Sequence, residues 1–452
     1  MSLKLTPSDA MFLYGESREV MMHVGSMMPF TPPPGTPRDY LRHVMDEIRA
    51  GVKVERPWNL RLRTPGLLKS PLHEWIEDDK LDLEYHVRRS ALPAPGDERE
   101  LGILVSRLHG YPIDFHRPPW ELHLIEGLEG GRMAMYVKVH HALVDGVTAS
   151  KILQKALTTN SDDRARPFFF SIPPPERKPR EGEAPDWLDQ TIDTVGMVAK
   201  AFSALVRNSR EEHDLVTPRQ APKCVLNARI SRARRFATQR LELSRVKAVA
   251  KASGGTLNDV LLALSSASLR RYLAERDALP AETLIAMLPV NVRAADDAGG
   301  GNAVGALLAS LATDIEDPAE RMAEIMSSTA HAKAQLTGMS KDAILAYSGL
   351  LTSPSLAQML PGTAGRVKPT FNVVISNVPG PEQPLYFRGA LLEANYPLSV
   401  PVHGQALNIT CVTYAGAMCV GFTGCRDTLP HLQRLAVYFG EALAELEVAF
   451  NV

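Results

Sequence analysis

The chain has 452 residues, more than one ordinary hydrophobic core supports, and this length predicts two domains of about 200 residues each. Hydrophobic residues make up 45% and charged residues 22% of the chain, a balance that excludes an intrinsically disordered protein. The formal net charge is -1, so no electrostatic attraction to nucleic acid is expected.

The four cysteines, Cys224, Cys411, Cys419 and Cys425, form no C-x-x-C pair and have no histidine at zinc-finger spacing. So few thiols in so long a chain predict free cysteines in a reducing cytoplasm. We expect no signal peptide, because the first residues lack an apolar segment. No apolar run reaches the roughly 18 to 20 residues that span a bilayer, so any contact with lipid is expected from the surface.

The N-terminal part alternates between helix and strand signals. Residues 6–9 predict a helix start, because the first and last are spaced as a capping box and a proline is tolerated in the first turn. Alternating residues predict strands over 122–128 and 133–141, joined by a turn at 129–131. After Gly146 the apolar residues take helical spacing.

The composition changes after the first third of the chain. Residues 161–186 combine dense charge with several prolines, which predicts an interdomain linker. An amphipathic helix is predicted over 187–206, and its apolar stripe either packs on a domain or touches a membrane or lipid droplet. The predicted division is an N-terminal domain over 1–160, a linker with this helix over 161–222, and a C-terminal domain over 223–452.

The C-terminal part also mixes helices and strands. A capping box at Thr256 and Asp259 predicts a helix that runs to about Arg271. Strands are predicted on both sides of the Asp- and Gly-rich segment 296–302 and in a hairpin near the end: 284–290, 303–313, 407–414 and 418–423. Because both halves mix strands and helices, the predicted class is α/β or α+β.

The most informative segment is 138–146, which lies between a predicted strand and a predicted helix and contains His140 and His141. Neighbouring side chains of a strand point to opposite faces, so the two imidazoles cannot have the same role. A metal site is disfavoured, because adjacent strand positions converge poorly and no further histidine cluster is close in sequence. Two interpretations stay open from the residues alone: a structural pair, and a general base with a pKa near neutrality.

The segment resembles a known motif, since His140, His141, Asp145 and Gly146 match the HHxxxDG motif of the CoA-dependent acyltransferase superfamily. Other blocks resemble those of the bacterial wax ester synthase/diacylglycerol acyltransferases. They extend from one end of the chain to the other: 8–13 (SDAMFL), 22–25 (MHVG), 81–93 (LDLEYHVRRSALP), 117–121 (RPPWE), 258–263 (NDVLLA) and 376–381 (SNVPGP). One position departs from the pattern, because Pro119 stands where the PLW block of the family has leucine.

The resemblance implies two chloramphenicol-acetyltransferase-like domains with an active-site tunnel between them. It implies transfer of a fatty acyl group from acyl-CoA, a co-substrate and not a bound cofactor, to a long-chain alcohol or to diacylglycerol. The expected place is the cytoplasm, at the inner membrane or a lipid droplet surface, without metal or nucleic acid. Two alternatives stay open: a superfamily member with another hydroxyl or amine acceptor, and a non-catalytic protein that binds lipid or acyl-CoA.

The resemblance also assigns roles to residues. His141 is expected to be the general base, while His140 holds the end of the strand. A thioester is already activated and the chain lacks the G-x-S-x-G elbow of a hydrolase, so no covalent acyl-enzyme is expected. Asn258 is expected either to donate a hydrogen bond to the oxyanion or to act as a local cap. Asp145 is expected either to orient His141 or to hold the loop through a basic partner.

The remaining motif residues are interpreted as structural. They are Gly146, Pro118, Pro119, Trp120, Asp259, Ser376 and Asn377. The glycine is expected to permit a backbone approach that a Cβ would block. The tryptophan alternatively lines an acyl channel, and the loop at 376–381 alternatively forms a tunnel wall.

The sequence does not define which residues contact CoA. A run of arginines is either a contact for CoA phosphates or anionic lipid, or a solvated surface: Arg229, Arg232, Arg234, Arg235 and Arg240. The pair Gly254-Gly255 either offers helix-terminal N–H groups to an anion or forms a turn.

Overall fold

The computed structural model describes residues 3–452 apart from 6, 38, 69–72, 145, 174–219, 292–303, 338, 340, 357, 359–362 and 364. Within these ranges the chain forms two large β-sheets and a small one, and helices pack on both large sheets. The predicted mixed α/β class is therefore confirmed. The predicted helix over 187–206, the predicted cap Thr6 and the segment 296–302 lie outside the described residues.

The elements follow one another in mixed order along the chain. The strands are β1 Leu3–Lys4, β2 His23–Thr31, β3 Leu60–Leu62, β4 Glu74–Glu77, β5 Val87–Ala91, β6 Trp120–Glu126, β7 Met133–His140, β8 Arg234–Glu242, β9 Ile285–Asn291, β10 Val304–Ser310, β11 Val373–Val378, β12 Tyr386–Phe387, β13 Ala390–Leu392, β14 Tyr396–Leu398, β15 Leu407–Tyr414 and β16 Ala417–Cys425. The α-helices are α1 Pro7–Gly15, α2 Tyr40–Arg49, α3 Leu83–His86, α4 Glu98–His109, α5 Gly146–Lys155, α6 Leu243–Ser253, α7 Leu257–Ala274, α8 Pro318–Leu336, α9 Lys341–Leu356 and α10 Gln433–Phe450.

The first large sheet carries the histidine pair. Its strand order is β12-β13-β2-β7-β6-β5, and β14 also pairs with β2. The central strand β7 is antiparallel to β2 and to β6, and all its residues are buried. Apolar residues of α2 and α4 complete this core. The strands predicted over 122–128 and 133–141 are confirmed as β6 and β7, with ends shifted by at most two residues.

The second large sheet has the order β10-β9-β11-β15-β16-β8. Its core is built with the apolar residues of α7 and α10. The capping box of Thr256 and Asp259 is present, and α7 continues past the predicted end to Ala274. The strands predicted over 284–290 and 303–313, and the hairpin predicted near the end, are confirmed as β9, β10 and β15–β16.

The two halves of the chain exchange segments. Strands β12, β13 and β14 follow β11 of the second sheet in the chain, yet they join the first sheet beside β2. In the other direction, Val20 and Met22, which precede β2, pack into the core of the second sheet. The sequence did not predict this exchange. The domain division at 161–222 stays a prediction, because 174–219 lie outside the described residues.

The small sheet has the order β1-β4-β3 and places α1 near the end of β7. Its core unites Leu13 of α1, Trp75 of β4, and two residues around the histidine pair, Phe115 and Ala142. The helices in the described part of the chain include none that is long and apolar enough to cross a membrane. All four cysteines are free thiols, and only Cys224 is partly exposed.

Candidate active site

The end of β7 is fixed by hydrogen bonds to two neighbouring segments. The N–H of His140 donates to the carbonyl of Pro119 at 2.9 Å, and the N–H of His141 donates to the carbonyl of Met22 at 2.9 Å. The N–H of Leu143 returns to the carbonyl of His140 and closes a turn. The histidine pair therefore lies where a central strand ends, between the start of β6 and the segment that precedes β2.

His140 is fully buried, and both of its ring nitrogens are engaged. Nδ1 accepts a hydrogen bond from the N–H of Ala142 at 3.2 Å, and Nε2 lies 3.3 Å from Oε2 of Glu16. Because Nδ1 accepts, the proton of the neutral ring is on Nε2 and is donated to the carboxylate. Phe115 packs edge-on against the ring, with 4.9 Å between the centroids. His140 thus shapes the turn that carries His141.

Glu16 was not singled out by the sequence. The side chain is buried, and its Oε2 also accepts a hydrogen bond from the N–H of Met22 at 2.6 Å. One carboxylate therefore links the ring of His140 to the residue whose carbonyl holds His141. No local pattern marks this glutamate, because it is 124 residues from His140 in the chain.

His141 has a different environment from its neighbour. Its side chain is partly exposed, and its ring stacks on Phe12 of α1 with 4.0 Å between the centroids and 10° between the planes. Its Nδ1 is buried. The alternation of the strand predicted that the two rings differ, and the structure buries the ring of His140 and leaves the ring of His141 partly exposed beside Phe12 of α1.

Two motif residues follow the turn. Gly146 is the first residue of α5. Asp145 lies outside the described residues, so both of its predicted roles stay predictions. Among the residues that the structure describes, no three His, Cys, Asp or Glu side chains are arranged to hold a metal ion.

The first turn of α7 presents Asn258 and Asp259. The carboxylate of Asp259 accepts from the N–H of Thr256 at 2.8 Å and from the hydroxyl of Thr329 on α8 at 2.7 Å. These bonds consume both oxygens of a buried group, so Asp259 fixes α7 against α8. Asn258 is half-buried, and its side chain makes no hydrogen bond to the rest of the described chain.

The block that precedes β6 lies in the interior. Pro118, Pro119 and Trp120 are all buried. The indole N–H of Trp120 donates to the carbonyl of Trp58 at 2.7 Å, and the indole ring stacks on Phe170 with 5.4 Å between centroids. This placement supports the predicted scaffold role.

Ser376 and Asn377 lie in β11, paired in parallel with Thr410 and Cys411 of β15. The prediction of a shaped loop over all of 376–381 is therefore wrong for its first three residues, because strand pairing satisfies their backbone groups. The loop begins afterwards, where a Cβ at Gly380 would lie 2.1 Å from the carbonyl oxygen of Thr413. Only glycine fits this approach.

The arginine run is not a uniform basic surface. Arg234 is buried, and its guanidinium donates to the carbonyls of Ser231 at 2.6 Å and Glu19 at 2.7 Å. Arg229 lies at the surface and pairs with the carboxylate of Glu19 at 2.6 Å. Gly254 caps α6 with a φ of 73°, which supports the turn, the simpler of the two predicted roles.

A buried polar network lies beside the histidine pair. Nζ of Lys138 is fully buried, lies 3.1 Å from Oε2 of Glu121 and donates to the carbonyls of Leu108 and Tyr111 at 3.2 Å each. Burial raises the pKa of Glu121, but His123, Lys138 and Arg88 lower it further, to about 2. The carboxylate is therefore ionised at neutral pH. The ion pair joins β7 to β6, and the hydrogen bond to the carbonyl of Leu108 joins β7 to the end of α4.

Two further imidazoles belong to this interior. Nε2 of His23 lies 2.9 Å from the carbonyl of His109, and Nδ1 of His109 lies 2.8 Å from the hydroxyl of Tyr136. Nε2 of His109 lies 3.1 Å from the carbonyl of Ser399 in the other half of the chain. Burial lowers the pKa of His109 to about 3, so the ring is neutral at pH 7.

The interlocked pair of sheets defines a known fold. A solved condensation domain of the calcium-dependent antibiotic synthetase matches with a TM-score of 0.60, over 99% of this chain and 95% of that chain. The two sequences are 18% identical, so this likeness shows the fold alone. It agrees with the predicted chloramphenicol-acetyltransferase-like architecture.

Family models narrow the assignment. The wax ester synthase/diacylglycerol acyltransferase catalytic domain matches residues 5–261, and the C-terminal domain of the same family matches residues 300–447. The chain therefore belongs to the wax ester synthase/diacylglycerol acyltransferase family, and it is an acyltransferase. The alternative of a non-catalytic lipid-binding protein is set aside.

Individual relatives agree with this assignment. A Mycobacterium tuberculosis protein with a proposed diacylglycerol O-acyltransferase activity is 51% identical over 99% of this chain and 97% of its own length. The O-acyltransferase WSD of Acinetobacter baylyi is 36% identical over 98% of this chain and 96% of its own length. The solved wax ester synthase/diacylglycerol acyltransferase of Marinobacter aquaeolei VT8 has a TM-score of 0.82 and 38% identity, and the match covers 99% of this chain and all of that one.

Proposed function

We propose that the protein transfers a fatty acyl group from acyl-CoA to the hydroxyl of a long-chain alcohol or of diacylglycerol, with His141 as the general base. The observation that carries this proposal is the difference between the two rings at the end of β7. His140 is sealed in the interior with both nitrogens engaged, whereas His141 is partly exposed. An imidazole that can reach the substrate suits proton transfer from an alcohol.

The proposed reaction needs one proton carrier and no nucleophile from the protein. Because Nδ1 of His141 is buried, we take Nε2 as the atom that accepts the hydroxyl proton. The alcohol oxygen attacks the thioester carbonyl carbon and forms a tetrahedral intermediate. The carbon–sulfur bond then breaks, and the imidazolium returns its proton to the thiolate. The products are an ester and free CoA.

We propose that Asn258 donates a hydrogen bond to the oxyanion of this intermediate. Its neighbour Asp259 is consumed by the helix cap and by Thr329, so the amide of Asn258 is the polar side chain of this turn that remains for a ligand. A preorganised donor of this kind contributes roughly 10²–10³-fold to the rate. We expect Asn258→Ala to lower kcat by that factor while KM changes little. An equal loss in Asn258→Ala and in the isosteric Asn258→Asp would support donation, whereas full activity of Asn258→Asp would contradict it.

The acceptor is proposed from the relatives, whose names include both wax ester synthase and diacylglycerol acyltransferase. The experiment is thiol release from palmitoyl-CoA by the purified protein, with hexadecanol, dioleoylglycerol, a short alcohol and a primary amine offered separately. Recovery of ester with the first two acceptors would support the proposal and rank them. Release only with the short alcohol or the amine would favour a different acceptor class, and a His141→Ala protein shows whether the release depends on the base.

We also propose that the α1 side of the molecule meets lipid. Phe12 and Leu13 of α1 face the interior, while Met11 on the same helix is 56% exposed and Leu67, next to the small core, is 64% exposed. Exposed apolar side chains on the helix whose Phe12 stacks on His141 suit contact with an insoluble substrate. We expect Met11→Ser/Leu67→Ser to reduce co-flotation with triolein-containing liposomes. Val448→Ser, which removes an exposed apolar side chain on α10, is the matched control. Equal flotation of both variants would contradict this placement.

A further inference from the structure

The segment 16–22, which joins α1 to β2, is held by both halves of the molecule. On the side of the first sheet, the carboxylate of Glu16 bonds His140, and the carbonyl of Met22 accepts the N–H of His141. On the side of the second sheet, Arg234 at the start of β8 donates to the carbonyl of Glu19. The position of both histidines thus depends on a segment that the other half of the chain clamps.

The segment is compact and has little freedom of its own. The N–H of Ser17 donates to the carbonyl of Val20 at 2.8 Å, and the N–H of Val20 donates back to the hydroxyl of Ser17 at 3.1 Å. Val20 and Met22 pack into the core of the second sheet. A displacement at Glu19 is therefore passed on to Met22, whose carbonyl holds His141.

Arg234 is well suited to hold this segment in one place. The residue is 4% exposed, and its guanidinium donates to two carbonyls, Ser231 of its own half at 2.6 Å and Glu19 of the segment at 2.7 Å. A guanidinium is a planar fork that fixes two acceptors at once, whereas an ammonium is a single point.

The charge of Arg234 is retained in the interior. Burial lowers the pKa of Arg234 to about 10, so the group stays charged at neutral pH. Removal of the guanidinium leaves the carbonyls of Ser231 and Glu19 unpaired. The folding of each variant at this position is therefore measured before its kinetics are compared.

We infer that Arg234 is a positioning residue for the acyl transfer: by holding the segment 16–22 from the second sheet, it couples the fit of the two halves to the placement of His141. This inference rests on the proposed role of His141 as the base.

The first test is the kinetics of Arg234→Met and Arg234→Lys with palmitoyl-CoA and hexadecanol. We expect Arg234→Met to fold and to lower kcat about tenfold or more, because a misplaced base loses rate while KM for acyl-CoA stays within about twofold. Arg234→Lys keeps one of the two hydrogen bonds and should lie between Arg234→Met and the wild type. The control is Arg245→Met, which breaks only a surface ion pair with Glu447 and should leave kcat unchanged. Unchanged kcat in a folded Arg234→Met whose His141 amide also exchanges at the wild-type rate would overturn the inference.

The second test is amide hydrogen exchange, which does not depend on activity. In the wild type, the N–H groups of Met22 and His141 should open as one unit with the same protection, and both should exchange faster in Arg234→Met. A His141 amide that opens independently of Met22 would overturn the inference even if no variant of Arg234 folds. Faster exchange of both amides with unchanged kcat would support the structural coupling and contradict the role of His141 as the base. The second test therefore distinguishes a failure of the coupling through Arg234 from a failure of the proposed function.

Discussion

The two large sheets bury different kinds of side chain. Beside the histidine pair, the first sheet buries a set of ionisable groups: His23, His86, His109, Glu121, His123, Lys138 and His140. The second sheet is packed mainly with aliphatic residues, and the polar groups around it are mostly uncharged amides and hydroxyls. Hydrogen bonds inside a protein fix the direction of the groups they join, whereas apolar contacts are not directional. The half that carries the proposed base thus has an interior whose side chains are held in fixed directions by hydrogen bonds. The other half supplies a large apolar core and the hydrogen bond from Arg234 to the segment 16–22.

The largest change in the free energy of unfolding is expected from removing a buried charge in the polar interior of the first sheet. Glu121→Gln leaves the buried ammonium of Lys138 without its carboxylate and should lower the free energy of unfolding by about 3–5 kcal/mol. Urea unfolding followed by circular dichroism measures this. The double variant Lys138→Met/Glu121→Leu removes both charges and should recover most of the loss. A single variant as stable as the wild type would show that this ion pair does not organise the first sheet.

A smaller effect is expected for the corresponding polar group of the second half. The buried amide of Asn372 donates to the carbonyl of Pro222 at 2.7 Å and accepts from the N–H of Ile285 at 2.8 Å. Asn372→Ala leaves these backbone groups unpaired and should lower the free energy of unfolding by about 1–3 kcal/mol, without an ionic contribution. Addition of 0.5 M salt should therefore leave the effect unchanged. A loss of unfolding free energy as large as that of Glu121→Gln would show that the buried polar groups of the two cores do not differ in their contribution to stability.

The smallest effect concerns pH. The pKa of His109 falls from its ordinary 6.5 to about 3 on folding, so below pH 6.5 the unfolded chain binds a proton that the folded protein does not. As the pH falls below 6.5, this group should lower the free energy of unfolding by about 1.4 kcal/mol per pH unit, which is about 1.4 kcal/mol between pH 7.5 and pH 5.5. Urea unfolding at pH 7.5 and pH 5.5 measures the change, and His109→Gln should show a smaller one. An identical pH dependence in both proteins would contradict the buried, neutral state of His109.

Local signals in the sequence predicted the elements that carry the site. Alternation identified β6 and β7, and the capping box at Thr256 identified the start of α7, because both depend on residues close in the chain. The motif placed His141 at the end of a strand, where the structure has it.

The contacts that hold the site depend on packing between distant segments. Glu16 reaches His140 across 124 residues, and neither its neighbours nor its spacing mark it. The pairing of β13 and β14 with β2 depends on the position of the whole second half. Their order in the sequence therefore predicted that both strands belong to the C-terminal domain. Arg234 was grouped with surface arginines for the same reason, since its burial follows from the contact between the two sheets.

The central claim is that the two adjacent histidines have different roles, and single-turnover acyl transfer by His140→Asn and His141→Asn, measured beside the urea unfolding of each, tests it most directly. We expect His141→Asn to keep the unfolding midpoint of the wild type and to lose about 10²–10⁴-fold in the rate of transfer. His140→Asn should instead lower the midpoint, because it opens the buried contact with Glu16. A matched control is His43→Asn, which replaces an exposed histidine on α2 and should change neither quantity. A folded His141→Asn protein that transfers the acyl group at the wild-type rate would contradict the claim.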